Sequence, residues 1–234
     1  MTSLLLSAIG VGFLVGFRHA FEPDHLAAVT TLATQERRVF RAAGLGMAWG
    51  IGHTLSVALV ALALIALDIH VPERFYTVAE LGVALMLLAL GLGTIVAEAR
   101  HHRRDRGGHH RVAQGNHRHR HDVTHDVTPD VESRGVRTRL RALGFGVLHG
   151  LAGSGAVIVL LVAASPNARE QTFYLLAFGI GTIVGMSLVS ALSGITTNAV
   201  GRRHTIALHY LRLGAAGLSV VVGILLGSGV IREW

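Results

Sequence analysis

Residues 17–25 read Phe17-Arg18-His19-Ala20-Phe21-Glu22-Pro23-Asp24-His25, two imidazoles and two carboxylates within seven residues from His19 to His25. The run before them, Leu4 to Phe17, is apolar but too short to cross roughly 30 Å of hydrocarbon, which takes about 20 helical residues. The first span is therefore expected to continue through the polar stretch to about Thr34. Ionisable groups at that depth are costly unless paired, hydrated or bound to something, and by default mark a pathway. A metal ion would satisfy all four. In an unbroken helix His19, Glu22 and His25 lie on an i, i+3, i+6 ridge that drifts by about 60° per step, near one another without sharing a tight face. Pro23 changes this, because it cannot donate to the carbonyl of His19 and its ring clashes there. The helix is expected to kink or unwind and gather these side chains, with the freed carbonyl as a further oxygen ligand. An internally neutralised salt-bridge knot with Arg18 is the competing reading.

The rest of the chain supports the membrane setting. Of 234 residues, 51% are hydrophobic and 15% charged, with a mean hydropathy of +0.52, too apolar for an ordinary soluble domain. The absence of cysteine excludes disulfide frameworks, thiolate metal sites and cysteine nucleophiles. Five further apolar runs are long enough to span: Ala42 to Leu67, Phe75 to Ala97, Leu140 to Ala164, Gln171 to Ile195 and Ile206 to Ile231. A cleaved signal peptide is the alternative for Leu4 to Phe17, but a basic start and a small-residue cleavage site are missing. The fold class expected is all-α, a polytopic membrane protein of six transmembrane helices.

Arginine placement gives an orientation. All 21 basic residues are arginine. With six spans, the loops after the first, third and fifth carry Arg37, Arg38 and Arg41, then eleven arginines from Arg100 to Arg141, then Arg202 and Arg203, whereas the other loops carry only Arg74 and Arg169. Positive loops stay in the cytoplasm, so both termini are expected outside the inner membrane.

The two halves echo each other. Gly50-Ile-Gly-His53 after Trp49 is matched by Gly179-Ile-Gly-Thr182 after Phe178, Leu81-Gly82 with Gly91 by Leu213-Gly214 with Gly223, and Gly16 with His19 by Gly146 with His149. Three spans per half is an odd number, so the copies must enter the membrane in opposite senses, the inverted-repeat plan of many secondary transporters. The expected division is residues 1–98 as one three-helix repeat, 99–138 as a His/Arg-rich cytoplasmic loop and 139–234 as the second repeat. Glycines at small-xxx-small spacing, Gly12 and Gly16, Gly46 and Gly50, Gly181 and Gly185, Gly223 and Gly227, allow close helix contact in lipid.

Imidazole with carboxylate or carbonyl oxygen suits divalent nickel, cobalt, zinc or copper better than calcium, and the lack of thiolate counts against copper(I). Ligand softness leaves the first four open. His19-Ala-x4-Asp24-His25 resembles the H-x4-D-H signature of the nickel/cobalt transporter superfamily, and Glu22-Pro23 within it resembles its six-span nickel/cobalt efflux and urease-accessory permease-like groups. Trp49-Gly-Ile-Gly52-His53-Thr54 resembles the family's second Gly-His motif, and Leu148-His149-Gly-Leu-Ala-Gly-Ser154 the motif opening the second half of the urease-accessory group. The resemblance covers the whole chain and implies a transporter whose metal is contacted or relayed by His19, Asp24, His25 and His53, with Glu22 among the candidate ligands. The best-known nickel permeases of that family have eight spans and later acidic motifs, which Gly181-Thr-Ile-Val-Gly-Met186-Ser187 lacks. In the second half Ala152, Gly153, Ser154 and Gly155 stand where Glu22, Pro23, Asp24 and His25 stand in the first, so metal-binding power is concentrated in one half, with His149 and Ser154 as a candidate second-half site. A membrane histidine can also simply hydrogen-bond a neighbouring helix, worth about 1 kcal/mol, and this reading applies to His53 and His149. Glu80 is expected to pair with Arg212.

The loop from Arg100 to about Arg137, with His101, His102, His109, His110, His117, His119, His121 and His125, has no apolar periodicity and is expected to be disordered. It suits weak divalent-ion collection, topological retention or contact with anionic headgroups; with no aromatic residue besides histidine it does not suit nucleic acid. The reading is a transporter, not an enzyme, for Ni2+ or Co2+, working by alternating access, with no prosthetic group. Affinity should fall as histidines protonate below about pH 6.5. A metal-dependent hydrolase would want a His-Glu-x-x-His helix, whose spacing is missing. A membrane-anchored metallochaperone or sensor using the loop, or an exporter of another small solute, is the alternative. Besides metal and lipid, the partners left open are a second copy of the chain and a cytoplasmic metallochaperone.

Overall fold

The computed structural model describes residues 2–36, 38–67, 73–107, 129–152 and 167–233. Among them every regular element is an α-helix. The decisive stretch folds into two helices, α1 (Thr2–His19) and α2 (Pro23–Ala33), whose axes are bent by 62°. Pro23 explains the break. It holds Glu22 in extended backbone, φ −62° and ψ 146°, and then occupies the first turn of α2, where its missing N–H leaves no carbonyl unserved. Two tight turns carry the chain across, with Phe21 N donating to Arg18 O (2.9 Å) and Glu22 N to His19 O (3.0 Å).

The remaining helices are α3 (Val39–Leu67), α4 (Glu73–Gly107), α5 (Pro129–Leu151), α6 (Ala168–Arg203) and α7 (Thr205–Glu233). Four segments are long and apolar enough to cross a membrane alone: Val39–Ala63, Thr77–Arg100, Arg169–Arg202 and Ile206–Arg232. The bent pair α1–α2 makes a fifth when counted as one crossing. These correspond to five of the six expected spans. The sixth, Leu140 to Ala164, is described only as far as Ala152, within and just beyond α5.

Burial is inverted relative to a water-soluble protein. Leu176, Ile180, Val184, Leu188 and Leu192 form an exposed stripe along α6, while Thr182, Met186, Ser190 and Thr197 on the same helix are fully buried. Lipid solvates such a stripe, and the buried threonine hydroxyls return to backbone carbonyls, whereas Ser190 Oγ has no hydrogen-bond partner among the described residues. Thr182 Oγ1 donates to Phe178 O (3.0 Å) and across to Gly16 O (3.2 Å); Ser219 Oγ donates across to Leu87 O (2.9 Å).

Helix contacts are made through glycine. A Cβ on Gly16 would fall on the carbonyl oxygen of Phe178, and one on Gly146 on that of Trp49. Gly181 lies on Phe13 O and Gly52 on Leu143 O; Gly91 lies on Ala216 O and Gly223 on Ala84 O. Thus α1 runs parallel to α6 and α5 parallel to α3, while α3 with α6 and α4 with α7 run antiparallel. The four expected small-residue pairs all sit on such contacts except Gly227, whose nearest neighbour, Ala84 Cβ, is at ordinary contact distance. Short α2 lies among α3, α4, α6 and α7.

Two expectations change. Helix α4 continues through Arg100 to Gly107 and α5 begins at Pro129, so both ends of the 99–138 segment are helical where a disordered loop is expected. An apolar-periodicity test misses them because a helix projecting beyond the bilayer needs no apolar face. Arg212 pairs with Glu98 (2.8 Å) and not with Glu80. Glu80 and Arg212 hold matching places in the two halves, but antiparallel α4 and α7 bring position 98 to 209 and 212, and Glu80 is about 27 Å further along α4 at 1.5 Å per residue.

Candidate metal site

The break between α1 and α2 turns three side chains inward around one centre. His19 ends α1, Asp24 and His25 occupy the first turn of α2, His53 comes from the middle of α3 and His149 from the last turn of α5. All four imidazoles are buried, His25 and His53 almost completely. His25 lies edge-on to its neighbours, with ring centroids 4.4 Å from His19, 5.1 Å from His53 and 4.1 Å from His149. Asp24 bridges two of them: Oδ2 accepts from His149 Nε2 (2.9 Å), and Oδ1 lies 3.1 Å from His25 Nδ1. Its place in the first turn of α2 also suits an anion.

Glu22 serves a different purpose from Asp24. Its Oε2 is 2.9 Å from His19 Nδ1, behind that ring, and its side chain is 53% exposed. A carboxylate in this position fixes the tautomer, so that His19 Nε2 presents a lone pair, and raises its basicity toward a metal. His19 Nε2 meets His53 Nε2 at 3.2 Å; with the His19 nitrogen accepting, the His53 N–H donates and His53 Nδ1 is left bare.

The centre is rich in unmet nitrogen. His53 Nδ1, His149 Nδ1 and His25 Nε2 are buried with no hydrogen-bond partner among the described residues, and His25 Nδ1 faces the Asp24 carboxylate at 3.1 Å outside hydrogen-bond geometry. Groups buried in this way in a membrane core call for a ligand. Two triads bring one donor atom from each member within 4.8 Å of one another: His19, His25 and His53, and Asp24, His25 and His149. Donors around one ion at metal–nitrogen distances of about 2.0–2.1 Å lie about 2.9–3.4 Å apart when adjacent; the hydrogen-bonded separations of 3.2 Å and 2.9 Å fall in that range, so the same pairs could flank an ion once the proton each shares has moved. Neutral imidazole with one carboxylate is a donor set for a divalent first-row ion.

Aromatic rings close the site. Phe178 stands 5.5 Å from His19, and Trp49 stands 5.8 Å from His149 and 6.0 Å from Phe145. Phe145 also lines a cavity of about 540 Å³ walled by Leu32, Leu90, Thr94, Glu98, Arg141 and Arg212 among others. There Glu98 accepts from Arg212 (2.8 Å) and His209 (2.9 Å), and Arg212 Nε donates to Thr34 O (3.1 Å), tying the end of α2 to α4 and α7.

A profile of the family NicO, described as high-affinity nickel-transport protein, matches residues 5–231. The chain belongs to the NicO family. Its helices and this membership make it a multi-pass membrane protein of the nickel-transport type. The NicO chain is 30% identical over 221 residues to the urease accessory protein UreH of Bacillus sp. (strain TB-90), covering 94% of this chain and 90% of that one. It is 26% identical over 212 residues to the chloroplast protein FOR GROWTH AND FERTILITY 1 of Arabidopsis thaliana, covering 83% of this chain and 52% of that protein, about half the plant protein's length. No solved structure matches.

In this NicO chain the structure brings together His19, Asp24, His25 and His53, puts Glu22 behind His19 and in neither triad, and joins His149, the candidate from the second half, to the same centre through Asp24. Arg18 is exposed, and the partners of Glu22 and Asp24 are imidazoles rather than its guanidinium. Ser154 and the loop histidines His109, His110, His117, His119, His121 and His125 lie outside the described residues; His101 and His102 fall on the extension of α4. The sequence reading missed Glu98 and His209. Their signal was an acid at the end of one span and His209-x-x-Arg212 near the start of another, facing positions only if the helices run antiparallel.

Proposed function

We propose that this NicO protein carries Ni2+, with Co2+ as the second candidate, across the membrane through a buried site built from His19, Asp24, His25, His53 and His149. The observation that carries the reading is the convergence of four buried imidazoles and one carboxylate, several of their nitrogens unpartnered, at the break between α1 and α2. Glu22 orients His19. Nickel as the first candidate follows from the family.

The two halves act as inverted three-helix repeats, 1–98 and 139–234, of a six-span transporter. Support comes from the glycine contacts, in which matching positions make matching contacts and each of α3 and α4 lies antiparallel to its counterpart. Alternating access then consists of rocking one half against the other around the site. The arginine bias puts both termini outside and the 99–138 segment in the cytoplasm, where its histidines collect ions near the inner opening.

The test is radiotracer Ni2+ and Co2+ flux into vesicles of known orientation, comparing the wild type with His19→Ala and Asp24→Asn. Flux unchanged in both variants would remove the site assignment, and a wild type that moves neither ion would remove the function.

A further inference from the structure

Five donor residues meet in this core, and they do not fit round a single ion. With bonds of about 2.0–2.1 Å, even donors on opposite sides of one ion are only about 4.2 Å apart. The described residues approach that limit as two triads, His19/His25/His53 and Asp24/His25/His149, and not as any larger group. The His53 and His149 rings are 6.0 Å apart, and His25 alone belongs to both sets. It is 1% exposed, sits between the others, and has a bare Nε2 and an Nδ1 that faces Asp24 Oδ1 at 3.1 Å.

On the proposed transport of a divalent ion, we infer that the ion occupies two overlapping stations in turn, His19/His25/His53 and Asp24/His25/His149, and is handed from one to the other on His25. The step is ligand exchange without electron transfer. The bonds to His19 and His53 break and bonds to Asp24 and His149 form, the proton that His149 Nε2 shares with Asp24 passing to that ring's bare Nδ1, and His25 is a ligand at both stations, so the ion is never stripped of protein ligands in the hydrocarbon core. The stations differ in charge, three neutral imidazoles against two imidazoles with a carboxylate, so the ion is partly neutralised only at the second. Their surroundings order them as well. The first is backed by half-exposed Glu22 through His19. The second is flanked by Trp49, whose ring packs near Phe145, a residue that also lines the 540 Å³ cavity beside Arg141 and Glu98. One joint site would need no such ordering.

The test uses the purified full-length protein in detergent, NiCl2 below one equivalent so that the tightest site fills first, and a competing chelator to read affinity. Two stations make the effect of Asp24→Asn depend on background. In His149→Gln, which leaves the first station, Ni2+ binding stays within about tenfold of wild type and adding Asp24→Asn, which there touches only the ring of His25, weakens it by no more than about tenfold. In His53→Gln, which leaves the second, binding also persists, and adding Asp24→Asn weakens it by about 100-fold or more. Both single variants lose at least about tenfold in vesicle flux, because each breaks the hand-over. Loss of binding in either single variant, with the protein still monodisperse and helical by circular dichroism, overturns the inference in favour of one joint site; so does an equal Asp24→Asn effect in the two backgrounds, or wild-type flux in either single variant. Absence of Ni2+ binding and flux in the wild type is a separate outcome that removes the proposed function itself.

Discussion

Helix α1 and helix α5 begin alike and end differently. Gly16 rests on the backbone of Phe178 and Gly146 on that of Trp49, and three residues later each helix presents a buried histidine, His19 or His149. Each histidine carbonyl then accepts a tight-turn N–H, from Glu22 at 3.0 Å and from Ala152 at 3.1 Å. Beyond that point the first half continues Pro23-Asp24-His25 and the second Gly153-Ser154-Gly155. Helices α3 and α6 differ in the same direction: fully buried His53, with a bare ring nitrogen, stands where α6 has fully buried Thr182, whose hydroxyl is satisfied by two carbonyls. Scaffold and chemistry are therefore separable in this fold. Both halves keep the backbone contacts, while one half holds most of the donors and the other lends a single imidazole across the middle.

The largest effect that sharpens this contrast is expected at Asp24, the carboxylate both halves share. Asp24→Asn should lower Ni2+ flux by on the order of 100-fold at unchanged expression, since even outer partners of metal ligands are worth 10–100-fold; flux within threefold of wild type would show that the shared carboxylate is dispensable. Next come the seams. Gly16→Leu and Gly146→Leu each push a side chain into a helix backbone and should destabilise by about 2–3 kcal/mol, read as similar drops in the thermal midpoint of the purified protein. A drop confined to one of them would break the equivalence of the halves.

Smaller effects separate the matched positions on α3 and α6. His53→Gln should lose about tenfold in flux, whereas Thr182→Val should stay within about twofold and cost about 1 kcal/mol of stability. The smallest change is expected outside the centre. Glu98→Gln weakens the tie to Arg212 and His209 and should lower stability by only about 0.5–1 kcal/mol, detectable as a slight fall in thermal midpoint; a tenfold flux loss there would move the chemistry away from the α1–α2 break.

Much of this was legible in the sequence where the physics is local. Proline's missing N–H marks the break at Pro23 wherever the helix goes, the length of apolar runs marks the spans, and the crowding of His19, Asp24 and His25 within one bend needs only short-range geometry. What was not legible depends on how distant helices align. His149 reaches Asp24 from 125 positions away, and no spacing rule brings α5 to that point. Comparing the two halves in the same chain direction pairs Arg212 with Glu80, whereas α4 and α7 pack antiparallel and bring Glu98 to Arg212. The helical continuation of α4 past Arg100 was hidden because its composition matches that of a solvated coil.

The glycine seams also bear on inheritance. At Gly16, Gly52, Gly146 and Gly181 the space for a Cβ is already filled by a neighbouring carbonyl, so every missense change in those codons, alanine included, adds an atom where none fits. The exposed leucines of α6 can drift among other apolar residues with little penalty. In a saturation library grown under nickel limitation, surviving alleles should therefore trace the paths of the buried backbones as positions where only synonymous codons persist, and that pattern should be as sharp in the half with one donor as in the half with most of them.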